Sequence, residues 1–157
     1  MEYFVSPIYP GAAAEIVRWQ YPPPYAVYDM NESSLPELLD GSYYAVSDAE
    51  GHLVGYYCFG ASAQVPAGRP HGVYPEGFMD IGVGIRPDLC GRGQGFCFLL
   101  RGLDFARAEL YAVKFRLTVA SFNARATRLY EKAGFQTAAA FIRHDIDDRA
   151  FRVMTLE

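Results

Sequence analysis

The chain has 157 residues, 51% hydrophobic and 20% charged, with 14 basic and 18 acidic side chains and a formal net charge of −4. That length suits a single domain spanning residues 1–157, and the apolar fraction excludes a disordered or fibrous chain. The mild acidity excludes the strongly basic balance of a nucleic-acid binder, so no nucleic-acid partner is expected. Cys58, Cys90 and Cys97 are odd in number and show no CxxC spacing. They read as reduced thiols of a cytoplasmic protein, not as a disulfide frame or a zinc site, and no metal is expected. The N-terminal stretch does not read as a signal peptide, and no apolar run approaches the ~20 residues that span a bilayer, so no membrane partner is expected.

Tyr3 to Ile8 reads as a first strand, followed by a short helix from Ala12 to about Trp19. Pro22, Pro23 and Pro24 then forbid helix and favour extended backbone. Ser34 suits the cap of a brief helix with Pro36 in its first turn. Ser42–Ser47 and His52–Gly60 read as a hairpin turning at Asp48–Gly51. Residues 61–76, rich in proline and glycine, read as a loop. Phe78 to Ile85 is a strand, and the turn Cys90-Gly-Arg-Gly-Gln-Gly95 opens a helix to about Leu110, with Phe96, Leu99, Leu100, Leu103, Ala106 and Leu110 on its apolar face. Lys114–Ala120 alternates as a strand, and Asn123 caps a helix with Ala126, Leu129, Tyr130 and Ala133 as its apolar face. Gly134 ends that helix, and Thr137–Arg143 and Arg149–Leu156 form two last strands around a turn at Asp145–Asp148. The order β-α-α-β-β-β-α-β-α-β-β predicts an α/β fold of the α+β kind. Its mixed sheet of about seven strands has a central parallel β-α-β unit and helices on both faces.

Two features could carry chemistry. Gly91, Gly93 and Gly95 stand between a strand and a helix, where backbone amides can converge on an anion such as a pyrophosphate. A flexible turn that merely caps the helix reads equally well. The spacing matches neither the GxGxxG dinucleotide fingerprint nor the GxxxxGK[ST] phosphate loop. Tyr130 follows Asn123 by seven residues, almost two helical turns, so both project from one face. Taken alone, Asn123 is more readily a cap and Tyr130 a core residue.

Together these features resemble the Gcn5-related N-acetyltransferase (GNAT) superfamily. The glycine turn after the fourth strand and the run Asn123-Ala-Arg-Ala-Thr-Arg-Leu-Tyr-Glu-Lys-Ala-Gly-Phe135 carry the resemblance, which is strongest over residues 42–135. It implies transfer of an acetyl group from acetyl-CoA, the co-substrate, to an amine acceptor, either a small molecule or a peptide α-amine. It also implies fourth and fifth strands that splay apart around the thioester. By position, the backbone of Val83, Gly84 and Ile85 would meet the pantetheine arm and the acetyl carbonyl. Gly91, Arg92, Gly93, Gln94, Gly95 and Phe96 would hold the pyrophosphate, and Asn123 would contact pantetheine. Tyr130 would protonate the departing thiolate, as a phenol near pKa ~10 can.

Cys90 replaces the usual Arg or Gln at the head of the turn, where the contacts are mainly backbone. Thr118 stands where the N-terminal acetyltransferases of this superfamily carry a glutamate base, five residues before the asparagine. Asp80, at the start of the fourth strand, is therefore the candidate base, with Glu76 behind it; a surface strand-end carboxylate is the alternative for Asp80. His52, His71 and His144 read as surface residues. Trp19, Tyr21, Tyr25 and Tyr28 lie in the segment that commonly walls the acceptor site in this superfamily; an aromatic loop packed on the sheet is the alternative. The competing functions are a catalytically silent CoA-binding or sensory domain, and an acyltransferase using another acyl-CoA. A monomer or a homodimer is expected.

Overall fold

The computed structural model describes residues 2–145 and 147–157. The strands are β1 (Phe4–Pro7), β2 (Tyr43–Ser47), β3 (Leu53–Phe59), β4 (Met79–Ile85), β5 (Phe115–Ala120), β6 (Gln136–Arg143) and β7 (Arg149–Leu156). The helices are α1 (Pro10–Ile16), α2 (Leu35–Leu38), α3 (Gly95–Glu109) and α4 (Ala124–Lys132). Element order is as the sequence predicts. The strands hydrogen-bond in one seven-stranded mixed sheet, ordered β1-β2-β3-β4-β5-β7-β6. β4 and β5 run parallel, in register at Met79–Phe115 and Asp80–Arg116. The pairs β1–β2, β2–β3, β5–β7 and β6–β7 are antiparallel. The expected turn at Asp145–Asp148 includes Ile146, which lies outside the described residues.

By its contacts the chain forms two compact units, Met1–Cys58 with Val83–Gly102, and Phe59–Gly82 with Leu103–Glu157. In the first, Tyr57 and Phe98 are buried with ring centroids 4.8 Å apart, and Tyr3 meets Phe98 edge-on at 5.4 Å. The buried Tyr57 hydroxyl needs a partner, and it donates to the Phe98 carbonyl. α1 ends at Ile16, earlier than expected, because the chain tightens there. Arg18 N–H bonds Glu15 and Trp19 N–H bonds Ile16, each three residues back. After the three prolines the backbone forms a 3₁₀ turn at Tyr25–Tyr28 instead of continuing extended. Asn31, not Ser34, supplies the capping side chain, accepting from Ser33 N–H at 2.9 Å ahead of α2.

In the second unit, Val73, Ala120, Phe141, Phe151 and Val153 form a core cluster, with Val65, Ala67 and Tyr74 packed against it. The segment expected as a loop folds as two 3₁₀ turns, Gly60–Ala63 and Pro66–His71. Pro66 fits a first turn because its ring presets φ and its missing N–H has no partner to lose. Arg69 fastens the turns together, bonding the Gln64 side chain at 3.1 Å and the Ala61 carbonyl at 3.2 Å. On α4 the buried residue is Thr127, whose hydroxyl donates to the Asn123 carbonyl at 3.0 Å. The expected face members Ala126, Leu129, Tyr130 and Ala133 are half-buried around it.

Candidate functional site

The first unit carries the glycine turn. Gly91 and Gly93 adopt φ of +74° and +76°, the left-handed region that side chains with a Cβ resist. Residues Gly91, Arg92 and Gly93 are exposed, and Gln94, Gly95 and Phe96 half-buried. The first α-helical bond here runs from Phe98 N–H to the Gln94 carbonyl at 3.0 Å, so the amides ahead of it lie in the helix's first turn, where the helix itself offers them no carbonyl. A 15-residue helix adds its positive end. Arg86 and Asp88 brace the approach to this turn through a 2.7 Å ion pair that holds the Asp88 carboxyl below its ordinary range. Backbone amides at a helix start suit an anion, with no side chain required.

In the same unit, Gly84 lies directly under the Tyr56 ring. A Cβ built at Gly84 would sit 2.2 Å from two ring carbons, so only glycine allows this approach. Tyr56 stacks in turn on Trp19, with centroids 6.2 Å apart at 26°. Trp19 is only 8% exposed, so its ring is chiefly a packing surface, whereas Tyr25 is half-buried and Tyr28 is 37% exposed. Tyr21 fastens this aromatic segment to β4: its hydroxyl donates to the Ile85 carbonyl at 2.7 Å, and burial pushes its pKa up. The Cys90 thiol lies 3.6 Å from the same carbonyl. The Ile85 carbonyl, part of the backbone expected to meet pantetheine, thus accepts from Tyr21. Tyr21 is one of the aromatics the sequence singles out in this segment, and its bond to β4 is what the sequence did not show.

The second unit carries Asn123 and Tyr130. Asn123 caps α4 as expected, its side-chain oxygen accepting from Ala126 N–H at 3.1 Å. It is 8% exposed, so the cap is built into the core. Tyr130 is half-buried, with its ring edge-on to Phe135 at 6.2 Å. Phe135 N–H bonds the Tyr130 carbonyl at 3.0 Å, and Gly134 turns the chain with φ +104°. The Gly-Phe ending thus locks the helix turn that bears Tyr130.

Asp80 corrects its surface reading. It is 3% exposed, and both carboxylate oxygens accept from Arg116, Oδ1 from Nε and Oδ2 from Nη2, each at 2.7 Å. Gln64 adds a third bond at 3.0 Å. Arg116 also donates to the Pro75 carbonyl and lies over the rings of Tyr74 and Phe78, at 5.1 and 5.4 Å. Both carboxylate oxygens are thus engaged by a buried guanidinium, and the geometry gives Asp80 the place of its structural counter-ion.

Beside this pair sits a second contact that the sequence did not suggest. The Tyr74 hydroxyl accepts from Val65 N–H at 3.0 Å and lies 2.8 Å from Thr118 Oγ1. Among the described residues no group of His, Cys, Asp and Glu could hold a metal ion, and no helix is long and apolar enough to cross a membrane.

The sequence profile of the Acetyltransferase (GNAT) family matches residues 12–135. No curated protein matches the sequence significantly. Among solved structures, the chain is similar to a spermidine N-acetyltransferase SpeG chimera from Vibrio cholerae and hSSAT, at TM-score 0.70 and 19% identity, covering 99% of this chain and 96% of that one. A second such chimera gives TM-score 0.73 at 18% identity, covering 99% and 95%. A GNAT-family acetyltransferase from Bacillus anthracis gives 0.71 at 14%, again covering 99% and 95%. At these identities the structures establish a shared fold.

Proposed function

The chain belongs to the acetyltransferase (GNAT) family, and from that premise we propose that it moves an acetyl group from acetyl-CoA to the nitrogen of a primary amine. The observation that carries this reading is the exposed glycine turn at the head of α3, with Gly91 and Gly93 at positive φ. In this proposal Gly91 to Phe96 hold the pyrophosphate, the backbone of Val83 and Gly84 meets pantetheine, and Asn123 contacts it through its side chain. Acetyl-CoA supplies the activated carbonyl. The neutral amine attacks that carbon, the C–S bond breaks, and the sulfur leaves with the electron pair and takes the Tyr130 hydroxyl proton. The attacking nitrogen gives up one proton to water, because Asp80 is committed to Arg116, and a solvent proton then restores the Tyr130 phenol. A backbone N–H of β4 beside the carbonyl would stabilise the developing oxyanion. Tyr25 and Tyr28 line the acceptor, while Trp19 supports Tyr56 from beneath.

The test is release of free CoA thiol from acetyl-CoA over a panel of diamines, polyamines, amino-sugar amines and peptide α-amines. Amine-dependent release with formation of the N-acetyl product is expected. CoA binding without release for any amine would make the chain a silent CoA-binding domain. Release only from a longer acyl-CoA would replace the donor.

A further inference from the structure

We propose that Tyr56 sets the length of acyl group the chain transfers, its ring closing the space beyond an acetyl methyl. This rests on the acetyltransferase reading above, in which the donor meets the β4 backbone at Val83 and Gly84, and adds the residue that measures the donor. β3 is seven residues long and buried at every position except Tyr56, which is half-buried. The ring is thus anchored in the sheet and open on part of its surface. Its outer edge lies on Gly84. A Cβ built there would come within 2.2 Å of Cε1 and Cζ and 2.6 Å of the hydroxyl oxygen. Not even one methyl carbon fits between that edge and the β4 backbone.

Two neighbours keep the ring from giving way. Trp19 stacks on it at 6.2 Å, Tyr43 meets it tilted at 5.7 Å, and both are buried. Packed side chains of this kind shift only at a cost. Gly55 precedes Tyr56 on β3, so the two face opposite sides of the sheet. That other side is full as well. A Cβ at Gly55 would meet the Gly84 carbonyl at 2.4 Å and Phe98 Cζ at 2.5 Å. An acetyl group needs room for one methyl beyond its carbonyl, whereas each added methylene at Gly84 must displace one of these rings. Phe98 is buried in the core with Tyr57 and Tyr3. Tyr56 is the ring with an accessible part, so a longer acyl chain meets it first. The selection is steric, and the ring carbons make it.

The test uses the full chain with an amine that the wild type acetylates, and acetyl-, propionyl- and butyryl-CoA as donors. One methylene in a closed apolar pocket is worth about 10- to 200-fold, so wild-type kcat/KM should fall at least about tenfold from acetyl- to butyryl-CoA. Tyr56→Leu removes the ring and should bring butyryl-CoA to within about threefold of acetyl-CoA. Free CoA carries no acyl group, and its affinity for this variant by calorimetric titration should match the wild type. Tyr56→Phe keeps the ring and should keep the preference for acetyl. A merely structural role would lower the rate with every donor alike and leave their ratio where it was. If Tyr56→Leu melts early, Tyr56→Val, whose branched side chain suits a strand, serves in its place well below its Tm. Wild-type use of butyryl-CoA equal to or better than acetyl-CoA would overturn this inference and leave amine acylation standing. So would an unchanged donor ratio in the folded Leu or Val variant, or a preference lost in Tyr56→Phe. No amine-dependent thiol release by the wild type from any of the donors would overturn both.

Discussion

Asp80→Ala tests the reading of the buried ion pair. Asp80 and Arg116 are each 3% exposed, and the variant removes two 2.7 Å bonds to the guanidinium and one from Gln64. The guanidinium keeps the Pro75 carbonyl and two aromatic faces but loses its counter-charge. Breaking a buried pair from one side costs about 3–5 kcal/mol. At about 2–4 °C per kcal/mol for a chain of this size, Tm should fall by roughly 6–20 °C, read by circular dichroism. Pairing Asp80→Leu with Arg116→Met removes both charges and should recover most of that loss, since apolar replacement of a whole buried pair is close to neutral. The double variant also separates structure from chemistry. Loss of a general base costs about 10²–10⁴-fold, whereas loss of a structural pair should cost no more than about tenfold. An Asp80→Ala Tm within about 3 °C of wild type would refute the structural role. A loss of transfer above about hundredfold in a well-folded double variant would restore Asp80 as the base.

Three further substitutions probe the first unit. Gly93→Val places a branched side chain at φ +76°, with open space around the Cβ, so it should strain the turn and weaken CoA binding by calorimetric titration. Cys90→Ala should leave that affinity nearly unchanged, and the reverse order would remove the phosphate-turn assignment. Gly84→Ala drives a methyl into the Tyr56 ring. Overpacking of this kind costs about 1–3 kcal/mol, so a Tm lower by roughly 2–12 °C is expected, and an unchanged Tm would contradict the close approach.

The order of elements was legible because periodicity and turn residues are local signals. Asn123 reads as a cap from its place before an amphipathic run, and Gly134 reads as a stop. The 3₁₀ turns at residues 60–71 were not legible. Proline and glycine there mark irregular backbone, while the order comes from distant partners such as Asp80 and Tyr74. The Asp80–Arg116 pair left a signal that local reading passed over. Each is the only charge in an otherwise apolar or neutral strand, at the second position of two strands expected to run parallel. Opposite lone charges at matched positions of parallel neighbours imply a buried pair. Thr118 looked like an absence, because a glutamate was sought there. The structure gives it a partner in Tyr74, 44 residues earlier in the chain, a distance that no local pattern spans.

The most direct measurement of the central claim is single-turnover acetyl transfer by Tyr130→Phe. The ring packs edge-on against Phe135, and phenylalanine preserves that contact and the helix end. Tm and acetyl-CoA affinity should therefore stay near wild type. Removing the proton donor for the thiolate should slow the chemical step by about 10²–10⁴-fold, and single-turnover rates avoid masking by slow product release. A rate within about twofold of wild type would contradict general-acid catalysis by Tyr130 and leave it as a packing residue of α4.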